Sequence, residues 1–164
     1  MHYDKDGYVS IWAGNVNSEE QLYTYLATVY QGEEETDQAF AEKLGQLFLP
    51  EHQFRAYESD LKALFDEYYH QFAYDFGILF DEDFCEAFCY KGPSNELSQL
   101  IHPDFSYAEH FTANLIEKIG NKLSVSYNAV IILYDCHYDG HIASVRHQDA
   151  HIDFLGAVEM SLLL

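Results

Sequence analysis

The sequence predicts an α+β fold: a single-domain two-layer sandwich with a mainly antiparallel sheet, helices packed on one face and a C-terminal β-meander. Three observations carry that expectation. A β-branched, aromatic segment opens the chain, helical spacing of apolar residues fills its middle, and strand-like runs dominate its last third. At 164 residues the chain suits one domain, 1–164, and 48% hydrophobic with 16% aromatic residues supply an ordered core. Such a core argues against the disorder that a net charge of −20 would otherwise favour.

The opening VSIW, residues 9–12, follows Gly7, stops at Gly14-Asn15, and reads as a short buried strand with Trp12 in the core. Ser18 with Gln21 makes a capping box, and the helix behind it carries Leu22, Tyr25, Leu26, Val29 and Tyr30 at helical spacing. Gly32 and the acidic run Glu33, Glu34 and Glu35 form an exposed connection. A second helix places Phe40, Leu44, Leu47 and Phe48 on one face. Pro50 can begin a third, with Phe54, Tyr57, Leu61, Leu64, Phe65 and Tyr68 on its stripe. Gly77 ends the helical pattern.

Residues 84–90 then read as a strand, Gly92-Pro93 as a turn, and residues 94–100 as a short helix. Ser106 with Glu109 forms a second capping box, for a helix that stops at Gly120 in a left-handed C-terminal position. The run NAVIILY, residues 128–134, is continuously apolar after Asn128, as in a central strand buried on both faces. Asp139-Gly140 supplies turn chemistry, and strand-like segments follow at 141–146 and 151–160.

Eight Lys and Arg oppose twenty-eight Asp and Glu. So few cations disfavour direct binding to nucleic acid, which depends on releasing the counterions of its phosphates. The same field attracts basic proteins and can raise their association rates by roughly 10- to 1000-fold at low salt. Cys85, Cys89 and Cys136 make an odd set without a disulfide framework, which suits reduced thiols. The N-terminal residues lack a basic stretch followed by an apolar one, so no secretory signal is read there. No apolar run reaches the ~20 residues that span a bilayer, so the expected location is cytoplasmic, with no membrane partner.

Two groups of residues invite chemistry. The first is a belt of Cys136, His137, His141, His147, Asp149 and His151, all of them legitimate zinc ligands, with His147 and His151 spaced H-x3-H. On a strand, His147, Asp149 and His151 would share one face, with ends too far apart to close around one ion. No HExxH or CxxC supports the site, so solvated hairpin residues are the default, with no cofactor. A metal-binding protein or metal-dependent enzyme is the alternative. No GxSxG elbow, P-loop or GxGxxG is present, and no catalytic residue is assigned.

The second group is FDEDFCEAF, residues 80–88, which sets Asp81, Glu82, Asp83 and Glu86 among phenylalanines. Glu82 and Glu86 are four apart, so they share a face of either a helix or a strand, and Phe84 and Phe88 repeat the relation. Carboxylates accept bidentate guanidinium bonds and aromatic faces accept cations. The segment therefore reads as a recognition patch, phenylalanines inward and Glu82 and Glu86 outward. The loop of Glu33, Glu34, Glu35 and Asp37 is the second expected contact region.

Val9, Ser10, Trp12 and Gly14 of VSIWAGN, then Phe72, Asp75, Phe76, Gly77 and Ile78, lead on to Asp81, Glu82, Asp83, Phe84 and Glu86. Together these residues resemble the immunity protein 22 family of bacterial polymorphic-toxin systems, over about residues 9–138. The tail HIASVRHQDAHIDFLGAVEM carries no part of the resemblance. What the resemblance implies is a cytosolic, non-enzymatic protein that binds and neutralises a cognate toxin, with no catalytic residues. The acid excess suits a basic toxin such as a nuclease, whose active site must grip phosphate. An acidic adaptor for another basic protein is a further alternative that shares the same physics.

Overall fold

The computed structural model describes residues 3–30, 32–36, 38–39, 68–79, 81–147 and 149–161. In chain order the elements are strand β1 (Asp4–Asn15), helix α1 (Glu19–Leu26), the short strands β2 (Thr28–Tyr30) and β3 (Tyr68–His70), and helix α2 (Gln71–Phe76). A 3-10 turn (Glu82–Phe84) leads into strand β4 (Cys85–Glu96) and helices α3 (Leu97–Leu100) and α4 (Ala108–Ile119). Strands β5 (Lys122–Cys136), β6 (Ser144–His147) and β7 (Ala150–Glu159) follow. Contacts group residues 18–80 into one compact unit and residues 3–17 with 81–164 into another.

The second unit is built on a five-stranded sheet, ordered β4-β5-β1-β7-β6, in which every neighbouring pair is antiparallel. The class is thus α+β, as the sequence predicts. The first strand lies in the middle of the sheet, between β5 and β7, and β6 and β7 form the terminal hairpin. A central strand needs apolar residues on both faces, and β1 has them. Val9, Ile11 and Ala13 alternate with Ser10 and Trp12, and all five are fully buried.

On one face Val9, Ile11, Val130, Ile132 and Val158 join Leu97 and Leu100 of α3 and Phe111 and Leu115 of α4 in a single core cluster. Each such side chain contributes about 1.5–3 kcal/mol when fully buried. Lys118 Nζ and Asn114 Nδ2 reach from α4 to the carbonyls of Ala157 and Glu159, at 2.7 and 2.8 Å, and tie the helix to β7. On the other face Trp12 packs on Tyr138 and Phe154, with centroids 5.4 and 5.1 Å away. Ser10 Oγ–H donates to the Cys136 carbonyl at 2.8 Å and accepts from Tyr138 N–H at 2.9 Å, so the buried hydroxyl is satisfied. Gly14 is required by close approach: a Cβ there would strike Ile152 Cδ1 and lie 2.7 Å from the His151 carbonyl oxygen.

In the first unit, Ser18 Oγ accepts from Gln21 N–H at 3.1 Å and starts α1 as the capping pattern predicts. The helix ends sooner than its spacing implies. Ala27 is extended, and residues 28–30 pair with residues 68–70, so Val29, Tyr30 and Tyr68 are in strands and not on helical stripes. Thr-Val-Tyr and Tyr-Tyr-His are β-formers, and once a partner strand is available pairing prevails over the helical period. The helices expected over 40–65 lie outside the described residues. Buried Asp75 accepts from Tyr25 Oη and Gln71 Nε2, both at 2.7 Å, and Gly77 closes α2 with φ 64° and ψ 42°.

Three further expectations need correction. Gly92-Pro93 makes no turn: β4 runs through it with a register irregularity between Cys89 and Ser94, which an edge strand can absorb around proline. The helix expected at 94–100 shrinks to Leu97–Leu100. Before α4 the Ser106–Glu109 box does not form, because the N-cap is Tyr107, left-handed at φ 60°, with no side-chain cap.

Candidate functional site

Asp81 shapes the start of the acidic segment. Its Oδ1 accepts from Asp83 N–H and its carbonyl from Phe84 N–H, both at 3.0 Å, which winds residues 82–84 into the 3-10 turn. The strand begins only at Cys85, so Glu82 and Glu86 belong to different elements and their spacing gives them no common face. From Cys85 onward the strand period sets Glu86, Phe88 and Tyr90 on one side, opposite Ile132 and Val130 of β5.

The expected orientation holds for Glu82, which is exposed, and fails for the rest of the segment. Phe84 and Phe88 are 46% and 48% exposed, while Glu86 is half-buried and bonded into the protein. Its Oε1 accepts from Ser106 N–H at 2.9 Å and from Tyr134 Oη at 2.8 Å, and Tyr134 Oη also lies 2.7 Å from the Ser106 carbonyl oxygen. Two good donors outweigh the pull of solvent on a carboxylate, whereas nothing comparable draws the phenylalanines in. Burial works against the charge on Glu86, but the hydrogen bonds from Ser106 and Tyr134 prevail and hold its carboxyl below the usual range. Burial and the Glu86 charge push the Tyr134 hydroxyl well above its ordinary value.

Glu86 is also the shared wall of two grooves. A cleft of about 510 Å³ is lined by Asp83, Phe84, Cys85, Glu86, Ser106, Tyr107, Tyr134, Asp135 and Met160. A groove of about 490 Å³ is lined by Glu86, Ala87, Phe88, Tyr90, His102, Asp104 and Phe105. Among the described residues, neither lining includes Lys or Arg. Asp135 is fixed by Gly7 N–H, 3.1 Å from its Oδ1. Burial, with the neighbouring Glu86 charge, pushes the Cys85 thiol up to about 12, so it stays protonated and is no nucleophile at neutral pH. The arrangement offers acceptor oxygens and ring faces to a cation. Ser106, Tyr107, Tyr134 and Asp135 are the site residues that sequence reasoning missed. Only the acid-rich neighbourhood hinted at them, since neither tyrosine nor aspartate announces a left-handed backbone.

The other expected site residues are dispersed. Glu33 and Glu34 are exposed, Glu35 Oε1 accepts from Gly32 N–H at 3.3 Å, and all three belong to the first unit, whereas Asp81–Glu86 belong to the second. Asp37 lies outside the described residues. In the belt, Cys136 is buried, with its thiol pushed up to about 11 by that burial. His137 stacks on Tyr8 at 4.7 Å, and His141 Nδ1 lies 2.7 Å from Asp139 and 3.2 Å from the Tyr3 hydroxyl. His147 closes β6, exposed Asp149 sits in the connecting turn, and His151 stands on β7, 3.2 Å from Asp153. The three residues expected on one strand therefore straddle a hairpin, because the Asp149 turn reverses the chain. Among the described residues no three His, Cys, Asp or Glu side chains come together to hold a metal.

Asp139 and Asp153 are compensated internally. Burial disfavours both charges. For Asp139, bonds from His141 and Tyr3 outweigh it, and for Asp153 those from Ser144, Tyr127 and His151 do, so both carboxyls fall below the usual range. Tyr127 Oη and Ser144 Oγ donate to Asp153 at 2.7 and 2.5 Å. No helix of the described residues is long and apolar enough to cross a membrane.

The family described as Immunity protein 22 matches residues 9–160, including the C-terminal tail that the sequence resemblance leaves out. No curated protein and no solved structure matches the chain.

Proposed function

Because the chain belongs to the Immunity protein 22 family, we propose that it is a non-enzymatic inhibitor that binds and neutralises a cognate bacterial toxin. The family match across residues 9–160 carries this reading. The second unit supports a contact surface at residues 81–88, where Phe84 and Phe88 stand exposed among Asp81, Glu82 and Asp83. Exposed aromatics beside carboxylates suit association with a cationic surface.

The partner that fits a chain of net charge −20 is basic. A nuclease is the fitting toxin, since it must present cations to phosphate. Carboxylates docked there compete for the same cations, and long-range attraction speeds encounter. Glu33, Glu34, Glu35 and Asp37 form a second acidic contact, considered by itself. The protein acts in the cytoplasm of the cell it protects and needs no cofactor.

Co-expression with the protein encoded beside this chain tests the proposal. Protected cells and a stoichiometric complex are expected. Undiminished toxicity without a complex would remove the reading, and a complex without protection would favour the acidic adaptor.

A further inference from the structure

The two described non-glycine residues with positive φ are Tyr107, at 60°, and Asp135, at 51°, and both line the cleft walled by Glu86. Left-handed backbone is unfavourable for tyrosine, and such outliers concentrate where a surface has work other than stability. Tyr107 is also 60% exposed. Around it the cleft is largely apolar, with Phe84, Tyr134 and Met160, and the adjoining groove adds half-exposed Phe88. Exposed apolar area on both sides of one half-buried carboxylate calls for an occupant.

Charge identifies that occupant. Asp83 and Asp135 bring negative charge to the cleft and its described lining brings no Lys or Arg, on a chain of net charge −20. A second copy of so acidic a chain would be repelled, whereas a cation would be held. Aromatic walls with separate carboxylates favour the planar guanidinium over a compact, strongly hydrated ammonium.

We propose that the two grooves form one bipartite docking surface for an arginine-bearing loop of the toxin. The cleft of Asp83, Asp135, Phe84 and Tyr107 takes the guanidinium, and the groove beside Phe88 takes an apolar neighbour. The proposal rests on the immunity reading for the identity of the partner. Glu86 is a positioning residue within it. Its bonds to Ser106 and Tyr134 fix the turn that carries Tyr107.

The probe is a blocked Gly-Arg-Leu-Gly peptide, titrated into the full chain and followed by amide NMR, with a lysine-for-arginine peptide alongside. Resonances of Cys85, Ser106, Tyr107 and Asp135 are expected to shift, with the lysine peptide at least about fivefold weaker. Asp83→Asn with Asp135→Asn is expected to weaken the arginine peptide about tenfold at unchanged Tm. Asparagine tolerates left-handed backbone and still accepts from Gly7. Equal response to both peptides, or binding untouched by the double variant, overturns the cleft. Protection from the neighbouring toxin separates the two ideas. If the double variant both protects and ignores the substitutions in the peptide assay, the cleft is wrong and immunity stands. If wild type takes the arginine peptide at the cleft but never protects, the cleft chemistry stands and immunity falls.

Discussion

The Glu86 cleft and the Asp139–Asp153 belt both set carboxylates beside tyrosines and a serine, and they differ in what answers the acids. In the belt, Asp139 has His141 and Tyr3, and Asp153 has Tyr127, Ser144 and His151. In the cleft Glu86 is answered by two donors and Asp135 by the Gly7 amide, while Asp83 and Asp135 line a space with no lysine or arginine among the described residues. Density of acid is therefore a poor guide to recognition. The more telling property is acid beside exposed ring faces with no cation supplied by the same lining.

Four substitution and solution experiments would break or sharpen that contrast. The largest effect is expected from Glu86→Ala, which leaves Ser106 N–H without its acceptor and Tyr134 Oη with the Ser106 carbonyl alone, and should cost about 1.5–3 kcal/mol in denaturant unfolding. An unchanged midpoint would show that Glu86 fixes nothing. Asp153→Asn should cost less, about 1 kcal/mol, because the amide still accepts one donor, and toxin affinity should stay within about threefold. A large affinity loss there would move recognition to the belt.

Acid titration comes third. Glu86, Asp139 and Asp153 have folded pKa values below those of the unfolded chain. Each therefore contributes stability that is present above the unfolded value, about 4, and is lost as pH falls through the folded one. The stability gap between wild type and Glu86→Gln should be constant near pH 7 and close below about pH 4. A gap that widens in acid would reverse the assigned direction. The smallest effect belongs to exposed Glu82: Glu82→Lys should slow toxin association a few-fold at low salt, about 1 kcal/mol or less, and vanish at high salt. A salt-independent loss would make Glu82 a direct contact.

Much of the architecture was legible in sequence because it follows from local patterns. Apart from Ser10 and Asn128 the VSIW and NAVIILY runs are apolar on both faces, as an interior strand requires, and Ser18 with Gln21 announces a helix start. What was not legible depended on partners distant in the chain. Residues 28–30 become a strand because residues 68–70 lie beside them, and spacing alone could not show it. FDEDFCEAF reads as acidic and aromatic, and Glu82 is exposed as that reading expects, but Phe84 and Phe88 face outward and Glu86 is bonded within. The residue that decides it, Tyr134, is 48 positions from Glu86 and reads as the end of an apolar strand. Likewise His147, Asp149 and His151 look periodic in sequence, and the turn between them becomes visible only in three dimensions.

In the proposed complex the grooves flanking Glu86 meet the partner and the histidine belt does not. Amide hydrogen exchange of the full chain, alone and saturated with the toxin encoded beside it, distinguishes the two surfaces. New protection is expected at residues 83–88, 105–108 and 134–135, with residues 137–153 unchanged. Protection confined to residues 137–153, with the grooves exchanging as in the free protein, would contradict it.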